Sequence, residues 1–254
     1  MVPFDRIDQC KFPILPEPYA QALYKAVEFI LSRVNPIGII ATGTILRGNP
    51  DPASDLDLYV IHNEPYRQRI QKFFNGVPAE IFINPPEQVR RYLMEEPAEY
   101  TPVTAHMLAT GFLVLELDPV VAELRQLALQ SLAEPPKLSP EKLVFMRYMA
   151  ANWLEDAADL TRRDEATANL FLSQAVLEII RVYFIPSGIY LPRNKELISA
   201  TESFNPELGV LLRQFFLISD CAIRLGLAYQ IADRTIQLHG FFEWESLPEV
   251  VGGK

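Results

Sequence analysis

The sequence is poor in cysteine: its 254 residues include only Cys10 and Cys221, which lie far apart in the chain. Two cysteines form at most one bond, so a disulfide framework is excluded. There is no CxxC pair, and the three histidines show no metal-ligand spacing, so the pattern of a zinc site is missing. Free thiols are typical of a reducing compartment, and we therefore expect a cytoplasmic protein.

Long apolar runs are also missing. No uninterrupted apolar stretch approaches the ~18 residues that a membrane-spanning helix needs. The segment Met1–Pro16 carries Asp5, Arg6, Asp8 and Lys11 among its apolar residues, which is not the pattern of a signal peptide. We therefore expect no membrane segment and no membrane partner.

Basic residues are too few for a protein whose main task is to bind a long nucleic acid. Lys plus Arg number 23 against 32 Asp plus Glu, which gives a net charge of −9. Long phosphate backbones are bound by clustered lysine and arginine side chains, so this charge balance disfavours them as partners. One small anionic ligand remains compatible with the charge, because a few local donors suffice to hold it.

The sequence does contain an ordinary globular balance of residue types. Hydrophobic residues make up 49% and charged residues 22% of the chain, which excludes global disorder. At roughly 100–200 residues per domain, a chain of 254 residues forms one large domain or two small ones.

Prolines divide the chain into two parts of different character. Up to about residue 135, short apolar segments predict β-strands, and helical patterns fill the intervals. The predicted strands cover residues 37–41, 56–61, 79–83 and 112–117. The predicted helices cover residues 19–33, 64–74, 87–96, 101–110 and 119–132. This alternation is typical of an α/β (α+β) domain.

Beyond the proline-rich segment 134–140, strand patterns disappear. Apolar residues recur at spacings of three and four from Leu143 to Leu160, which is the pattern of one helix face. Further helices are predicted over residues 165–185, from about residue 194, and after residue 206. The sequence therefore predicts two domains, an α/β domain over residues 1–135 and a helical domain over residues 136–254.

Two aspartates stand two residues apart at the start of a predicted strand. Residues two apart in a strand point to the same face, which places the carboxylates of Asp55 and Asp57 side by side. Like charges that close repel each other unless a cation lies between them, and Mg²⁺ prefers such oxygen ligands. Glu80 is the only acid in the next apolar segment, Val77–Asn84, and we expect it to reach the same site.

The loop before these acids has the features of a phosphate-binding turn. Gly43 permits close approach of the backbone to a ligand. The Thr44 hydroxyl and the backbone N–H groups of a short helix predicted over residues 45–47 are suited to hold phosphate oxygens. No Gly-Lys-Ser/Thr sequence follows, so this loop is not the glycine-rich P-loop.

These residues resemble the signature of the polymerase-β-like nucleotidyltransferase superfamily. Gly43-Thr44 stands where that family has Gly-Gly or Gly-Ser, and Thr44 keeps the hydroxyl. After ten intervening residues, Asp55-Leu56-Asp57 stands where the family has its Asp-x-Asp pair, and Glu80 stands where it has a third acid. The layout is most similar to that of the bacterial aminoglycoside adenylyltransferases of the streptomycin/spectinomycin type. The resemblance implies a nucleotidyltransferase fold, with a small mixed sheet flanked by helices, followed by an all-α helical bundle.

The resemblance also implies a reaction. A nucleoside monophosphate, AMP from ATP or its equivalent from another nucleoside triphosphate, would pass to a hydroxyl of a small-molecule acceptor. Asp55 and Asp57 would hold two Mg²⁺ ions, and Glu80 would complete the metal site or take the proton of the acceptor. The nucleotide-binding positions implied in this half of the chain are Gly43, Thr44, Arg47 and Ser54.

A second resemblance lies in the helical half. The segment 184–197 is similar to a loop of the same subset that brings a basic residue back to the nucleotide. Lys195, or alternatively Arg193, would then neutralise charge on the triphosphate as the leaving group develops.

Two other functions remain open from the sequence. Some small members of the superfamily modify a protein or a tRNA, among them antitoxins that modify a partner toxin. A member without turnover would instead be a nucleotide-binding regulatory module. The identity of the acceptor does not follow from the sequence, and neither does the choice between a monomer and a homodimer.

Overall fold

The computed structural model describes residues 4–48, 50, 53–238, 240–246 and 248, with the backbone alone for residues 4 and 5. The chain divides into two units, Met1–Glu134 and Pro135–Lys254. The first unit combines a sheet with helices and the second is helical, which confirms the predicted α+β fold class. No helix within the described ranges is long and apolar enough to cross a membrane.

The first unit is built around a five-stranded mixed sheet. Its strands are β1 (Pro36–Thr42), β2 (Leu56–His62), β3 (Gln68–Phe74), β4 (Val77–Asn84) and β5 (Phe112–Glu116). The strand order is β3-β4-β2-β1-β5, in which β2 and β4 run parallel and all other neighbours run antiparallel. The helices of this unit are α1 (Tyr19–Arg33), α2 (Pro86–Glu95), α3 (Val103–Thr110) and α4 (Pro119–Ala133), with 3₁₀ turns at Phe4–Gln9 and Glu96–Glu99. The four predicted strands are therefore confirmed as β1, β2, β4 and β5.

Apolar side chains cover both faces of the sheet, which explains why β1 and β2 are almost continuously apolar. On one face, Ile39 and Leu58 belong to the same core as Leu23 of α1. On the other face, the neighbouring residues Ile40 and Tyr59 belong to a core with α2, α3 and α4. Burial of one large apolar side chain stabilises the fold by about 1.5–3 kcal/mol, so both cores hold the sheet in place.

The helix predicted over residues 64–74 is wrong, because the chain forms strand β3 there. Asn75 and Gly76 adopt positive φ angles of 51° and 79°, and they connect β3 to β4 as a two-residue hairpin turn. Asn-Gly is a strongly favoured dipeptide in such turns, because both residues tolerate positive φ. Strand β3 lies at the sheet edge and is mostly exposed, so it lacks the apolar alternation by which strands are usually predicted.

The second unit consists of helices around a single apolar core. They are α5 (Pro140–Leu160), α6 (Glu165–Phe184), α7 (Leu197–Phe204), α8 (Pro206–Leu217) and α9 (Cys221–Arg234), with a 3₁₀ turn at Asn194–Glu196. Four of these helices begin with a side chain that accepts a backbone N–H, as good N-caps do. These N-caps are Ser139, Asp164, Asn205 and Asp220. Each helix contributes buried positions to the shared core, so the unit has its own source of stability.

Arg224 is only 9% exposed and lies on α9. The spacing of four residues predicts an ion pair with Asp220, but Asp220 caps the helix instead. The guanidinium of Arg224 donates from Nη1 to Oδ1 of Asn169 and from Nη2 to Oγ of Ser173, the latter over 2.9 Å. Its Cζ also lies 4.4 Å from the centre of the Phe215 ring. Burial lowers the pKa of Arg224, and neutral partners with an aromatic ring take the place of a carboxylate.

Replacing Arg224 with methionine is expected to destabilise the protein although it removes a buried charge. The partly buried side chains of Asn169 and Ser173 would lose a charged donor, and a hydrogen bond to a charged group contributes about 1.5–3 kcal/mol. We expect urea denaturation to show a loss of about 1–3 kcal/mol in the free energy of unfolding, because methionine retains part of the packing. The control Arg162→Met, at an exposed site of the same unit, should change that free energy by less than about 0.5 kcal/mol. Equal stability of the two variants would contradict the expectation.

Candidate active site

Four polar side chains lie in one row across the sheet. The register pairs Thr42 with Asp57, Asp57 with Glu80, and Glu80 with Gln71, on β1, β2, β4 and β3 in that order. Directly paired residues of neighbouring strands project to the same face and are about 5 Å apart. The structure thus places the two acids Asp57 and Glu80 side by side, and we call these four residues the polar row.

The start of β2 holds the two aspartates. Asp55 lies just before the strand and Asp57 is its second residue, and both are partly exposed. Leu56 between them is fully buried in the core on the opposite face. Ser54, which precedes the aspartates, is 6% exposed. Burial of Leu56 therefore fixes the position at which the aspartates emerge from the sheet.

Gly43 approaches the carboxylate of Asp57 closely. Its φ angle is +95°, a conformation that residues with a side chain rarely adopt. A Cβ atom built on Gly43 would lie 2.6 Å from Oδ2 of Asp57, which is closer than unbonded atoms approach each other. The missing side chain therefore leaves room for the carboxylate beside the buried backbone of Gly43.

The short helix predicted over residues 45–47 is wrong, because residues 44–48 form a hydrogen-bonded turn. The N–H of Arg47 donates to the carbonyl of Gly43 over 3.3 Å. Gly48 then adopts a φ angle of +83°, which ends the turn before a helix forms. Phosphate binding at this turn would therefore depend on individual N–H groups and side chains, without the dipole of a helix.

Thr44 and Arg47 contact each other within this turn. Nη2 of Arg47 donates to Oγ1 of Thr44 over 3.4 Å, which is a long hydrogen bond. Arg47 is exposed and Thr44 is partly buried. The turn therefore presents a hydroxyl and a guanidinium directly after the glycine that touches Asp57.

Side chains of β3 hold the carboxylate of Glu80. Arg69 forms an ion pair with Oε1 of Glu80, and Nε2 of Gln71 donates to the same oxygen over 2.8 Å. The side chain of Glu80 is 14% exposed, whereas that of Arg69 is 62% exposed. The Arg69 guanidinium also lies over the ring of Phe82, 4.9 Å from its centre. These contacts fix the orientation of the carboxylate. The ion pair with Arg69 and the hydrogen bond from Gln71 both involve Oε1, and neither involves Oε2.

Within the described ranges, no group of three His, Cys, Asp or Glu side chains is close enough together to hold a metal ion. The acids Asp55, Asp57 and Glu80 therefore do not form a three-acid cage in this conformation. The donor set of the two aspartates nevertheless fits Mg²⁺. This ion is usually held by one or two carboxylates, and water and substrate phosphates supply its other ligands.

The basic residues expected to contact the triphosphate lie in the second unit, at the 3₁₀ turn Asn194–Glu196. Arg193 forms an ion pair with Glu196, which includes a 3.0 Å bond from Nε to Oε2. Lys195 is exposed, and in the part of the chain that the structure describes its ammonium group has no hydrogen bond or ion pair. Of the two candidates, Lys195 is therefore the one whose charged group forms no ion pair with a described residue.

The site predicted from the sequence does not include Arg69 and Gln71, because the sequence pattern predicts a helix over residues 64–74. A local signal for them exists in the sequence. Counting back from a two-residue hairpin turn at Asn75-Gly76 places Gln71 opposite Glu80. The sequence predicts the turn at Asn75-Gly76, but the helix predicted before it excludes a hairpin, so the side chains around the third acid are missed.

Residues 23–104 match the family model described as nucleotidyltransferase domain. The matched segment extends from α1 to the start of α3 and contains Gly43, Asp55, Asp57 and Glu80. It covers about a third of the chain and lies within the first unit. The match supports the resemblance to nucleotidyltransferases in general and does not address the narrower resemblance to aminoglycoside adenylyltransferases.

One solved structure similar to this chain is a nucleotidyltransferase-like protein from Exiguobacterium sibiricum 255-15. The two chains are 15% identical with a TM-score of 0.49, and the likeness covers 85% of this chain and 74% of that one. No curated protein matches the sequence.

Proposed function

We propose that the protein is a nucleotidyltransferase that transfers AMP from ATP to a hydroxyl of a small-molecule acceptor. One observation carries this proposal: the bare backbone of Gly43 lies against the carboxylate of Asp57, and Asp57 is paired with Glu80 on the next strand. A turn suited to phosphate and two acids are thus immediate neighbours. The match of residues 23–104 to a nucleotidyltransferase domain supports the same class of reaction.

Asp55 and Asp57 would hold Mg²⁺, in the two-ion arrangement that the resemblance implies. When bound, Mg²⁺ neutralises charge on the triphosphate and stabilises the attacking and leaving oxygens. The contribution of the chain is positional, because buried Leu56 fixes where the two carboxylates emerge at the start of β2.

The turn after β1 would hold the triphosphate. It offers backbone N–H groups, the hydroxyl of Thr44 and the guanidinium of Arg47, all of which donate hydrogen bonds to phosphate oxygens. The 3.4 Å contact between these two side chains is long for a hydrogen bond, so it holds them together only weakly. Ser54, buried directly before Asp55, is the further hydroxyl that the resemblance assigns to the nucleotide.

We assign the role of general base to Glu80. In the reaction, the acceptor oxygen bonds to the α-phosphorus, and the bond from that phosphorus to its bridging oxygen breaks. Pyrophosphate leaves with the electron pair of that bond, and Glu80 takes the proton of the acceptor. Arg69 and Gln71 support this role, because both bind Oε1 and leave the other oxygen outside their contacts.

Replacing Glu80 with glutamine is expected to lower kcat by about 10²–10⁴-fold, the usual contribution of a general base. Glutamine keeps the size of the side chain but does not take up a proton. The KM for ATP should stay within about twofold of the wild-type value, because the nucleotide does not depend on this group for binding. Pyrophosphate release, measured over a range of ATP and Mg²⁺ concentrations, tests both expectations.

A metal ligand at this position would give a different result. Loss of a ligand raises the Mg²⁺ concentration needed for half-maximal rate, by about 10–100-fold if the effect on affinity matches that of metal-site partners. Recovery of the wild-type kcat by Glu80→Gln at saturating Mg²⁺ would therefore contradict the assignment. Arg69→Ala keeps the carboxylate and removes its ion pair, so it should lower kcat less than Glu80→Gln does.

The proposed reaction is tested by incubating the protein with ATP, Mg²⁺ and a panel of hydroxyl-bearing small molecules. The expected result is release of pyrophosphate in equal amount to an AMP-labelled acceptor, with no release in excess EDTA. Release of inorganic phosphate in place of pyrophosphate would identify a different reaction and overturn the proposal.

In the second unit, we propose Lys195, ahead of Arg193, as the residue that neutralises charge on the triphosphate. The proposal follows the resemblance of segment 184–197, and the pairing of Arg193 with Glu196 supports the choice. A lysine with an uncommitted charge loses no ion pair when it binds a phosphate.

A further inference from the structure

A cavity of about 420 Å³ lies on the face of the sheet that carries the polar row. Tyr59 of β2 and Phe82 of β4 form part of its wall, and they follow Asp57 and Glu80 by two residues. Two residues of a strand span about 6.6–6.8 Å and return to the same face. The cavity therefore begins one such step along the strands from the two acids.

The lining of this cavity contains hydrogen-bond donors and acceptors, and its charged side chains are Arg67, Arg69 and Glu96. Arg67 donates to the hydroxyl of Tyr92 over 2.6 Å. Glu96 accepts from the N–H and the hydroxyl of Thr104 over 2.6 and 2.7 Å. Arg69 also lines the cavity, and its charge is already neutralised by its ion pair. Arg67 and Glu96 thus leave no net charge for a ligand to compensate.

The hydroxyl of Tyr59 is buried and has no hydrogen-bond partner among the residues that the structure describes. Thr104 and Asn84 lie beside it, but neither is placed for a well-formed hydrogen bond. Burial raises the pKa of Tyr59, so the group remains a neutral hydroxyl. Buried polar groups in native proteins are nearly always paired, and a polar ligand in the cavity that Tyr59 lines would supply a partner for this hydroxyl.

We propose that this cavity binds the acceptor, and that the acceptor is an uncharged, hydroxyl-rich molecule of the size of a mono- or disaccharide. The inference rests on the proposed function. A volume of about 420 Å³ lies within the usual range of small-molecule sites, ~300–1,000 Å³. Balanced donors and acceptors beside the apolar side chains of Val103 and Met107 suit a molecule that carries both hydroxyl and C–H surfaces.

The order of strands supports an acceptor in this cavity. The Gly43 turn follows β1, on one side of Asp57, whereas Glu80 and Arg69 lie on β4 and β3, on the other side. Displacement at phosphorus places the attacking and leaving oxygens on opposite sides. Arg69 both lines the cavity and binds Glu80, so a molecule in the cavity adjoins the proposed base.

The test closes the cavity without altering the polar row. Val103 lines the cavity and is 54% exposed, so tryptophan at this position fills the rim and not the core. Leu129→Trp is the matched control, because Leu129 is 50% exposed on α4 and is not among the lining residues. The melting temperature of wild type and both variants is measured with myo-inositol, sucrose, glucosamine, gluconate and Mg-ATP as separate probes. Sugars also stabilise proteins by exclusion from the surface, and this effect acts equally on all three proteins.

We expect an uncharged probe to raise the melting temperature of wild type and Leu129→Trp beyond that common effect. The midpoint of its titration should rise at least about tenfold in Val103→Trp, because the binding volume is lost. Tyr59→Phe should weaken the same response, and Mg-ATP should act equally on wild type, Val103→Trp and Leu129→Trp.

Three outcomes would overturn the inference while leaving the proposed function standing. In the first, Mg-ATP no longer raises the melting temperature of Val103→Trp. In the second, only the charged probes raise the melting temperature of the wild type. In the third, no probe has a smaller effect on Val103→Trp than on the wild type. No response of the wild type to Mg-ATP would instead contradict the proposed function, and with it the acceptor role. The two kinds of failure are therefore distinguishable.

Discussion

Replacing Asp57 with asparagine is expected to abolish nucleotidyl transfer, with a loss of at least about 10³-fold in kcat. Removal of a single group that stabilises transition-state charge already costs about 10²–10³-fold. Asp57 occupies the centre of the polar row, between the Gly43 turn and Glu80. Stability should change little, because asparagine fits the same space and removes one of two neighbouring like charges.

Pyrophosphate release and the melting temperature are the two measurements for this variant. Asp8→Asn is the matched control, because Asp8 is exposed in the same unit and the change in charge is identical. The control should retain wild-type activity. Retention of more than about a tenth of the wild-type rate by Asp57→Asn would contradict a central role, since that loss is below the effect of one stabilising group.

Replacing Gly43 with alanine is expected to lower kcat by about 10²-fold or more. The new Cβ would lie 2.6 Å from Oδ2 of Asp57, so the carboxylate or the turn must move. A displacement of about 1 Å at a reacting centre is enough to cost about 10²-fold. Alanine at a φ angle of +95° also carries strain of about 1–2 kcal/mol, so some loss of stability accompanies the loss of activity.

Gly48→Ala separates the two effects of this substitution. Gly48 lies in the same turn and has a φ angle of +83°, but no described atom lies within 4 Å of its added Cβ. Both variants should lose similar stability in thermal denaturation, whereas Gly43→Ala alone should lose most of its activity. Equal kcat values for the two variants would show that contact with Asp57 has no part in the reaction.

Where local pattern determines structure, the sequence predicts this fold well. The run Ile37–Ala41 is apolar and follows Pro36, and it forms β1 between two cores. In the sequence Ser139-Pro140, a hydroxyl cap precedes a proline at the first helical position, and the Ser139 hydroxyl accepts the N–H of Lys142 at the start of α5. Such features depend on neighbouring residues alone, so a single sequence is enough to read them.

Features that depend on contacts between distant residues cannot be predicted from the local sequence pattern. Strand β3 is exposed at the sheet edge, so its residues lack an apolar pattern and only the Asn75-Gly76 turn marks it. The ion pair between Arg69 and Glu80 depends on the register of that hairpin. The cavity beside Tyr59 requires helices α2 and α3 to pack over β2 and β4, which no local spacing encodes.

The two aspartates at the start of β2 are proposed to bind a nucleoside triphosphate together with Mg²⁺. The most direct measurement is the melting temperature with ATP, in the presence and absence of Mg²⁺, for wild type and the double variant Asp55→Asn/Asp57→Asn. At about 100 times its Kd, a ligand stabilises the native state by about 2.7 kcal/mol. For a protein of this size, that corresponds to roughly 5–10 °C.

The proposed role of the two aspartates predicts this rise for the wild type only when ATP and Mg²⁺ are both present, and no rise for the double variant. The same rise without Mg²⁺, or in the double variant, would contradict it, because the nucleotide would then bind without the two carboxylates. No rise in the wild type under any of these conditions would contradict it equally.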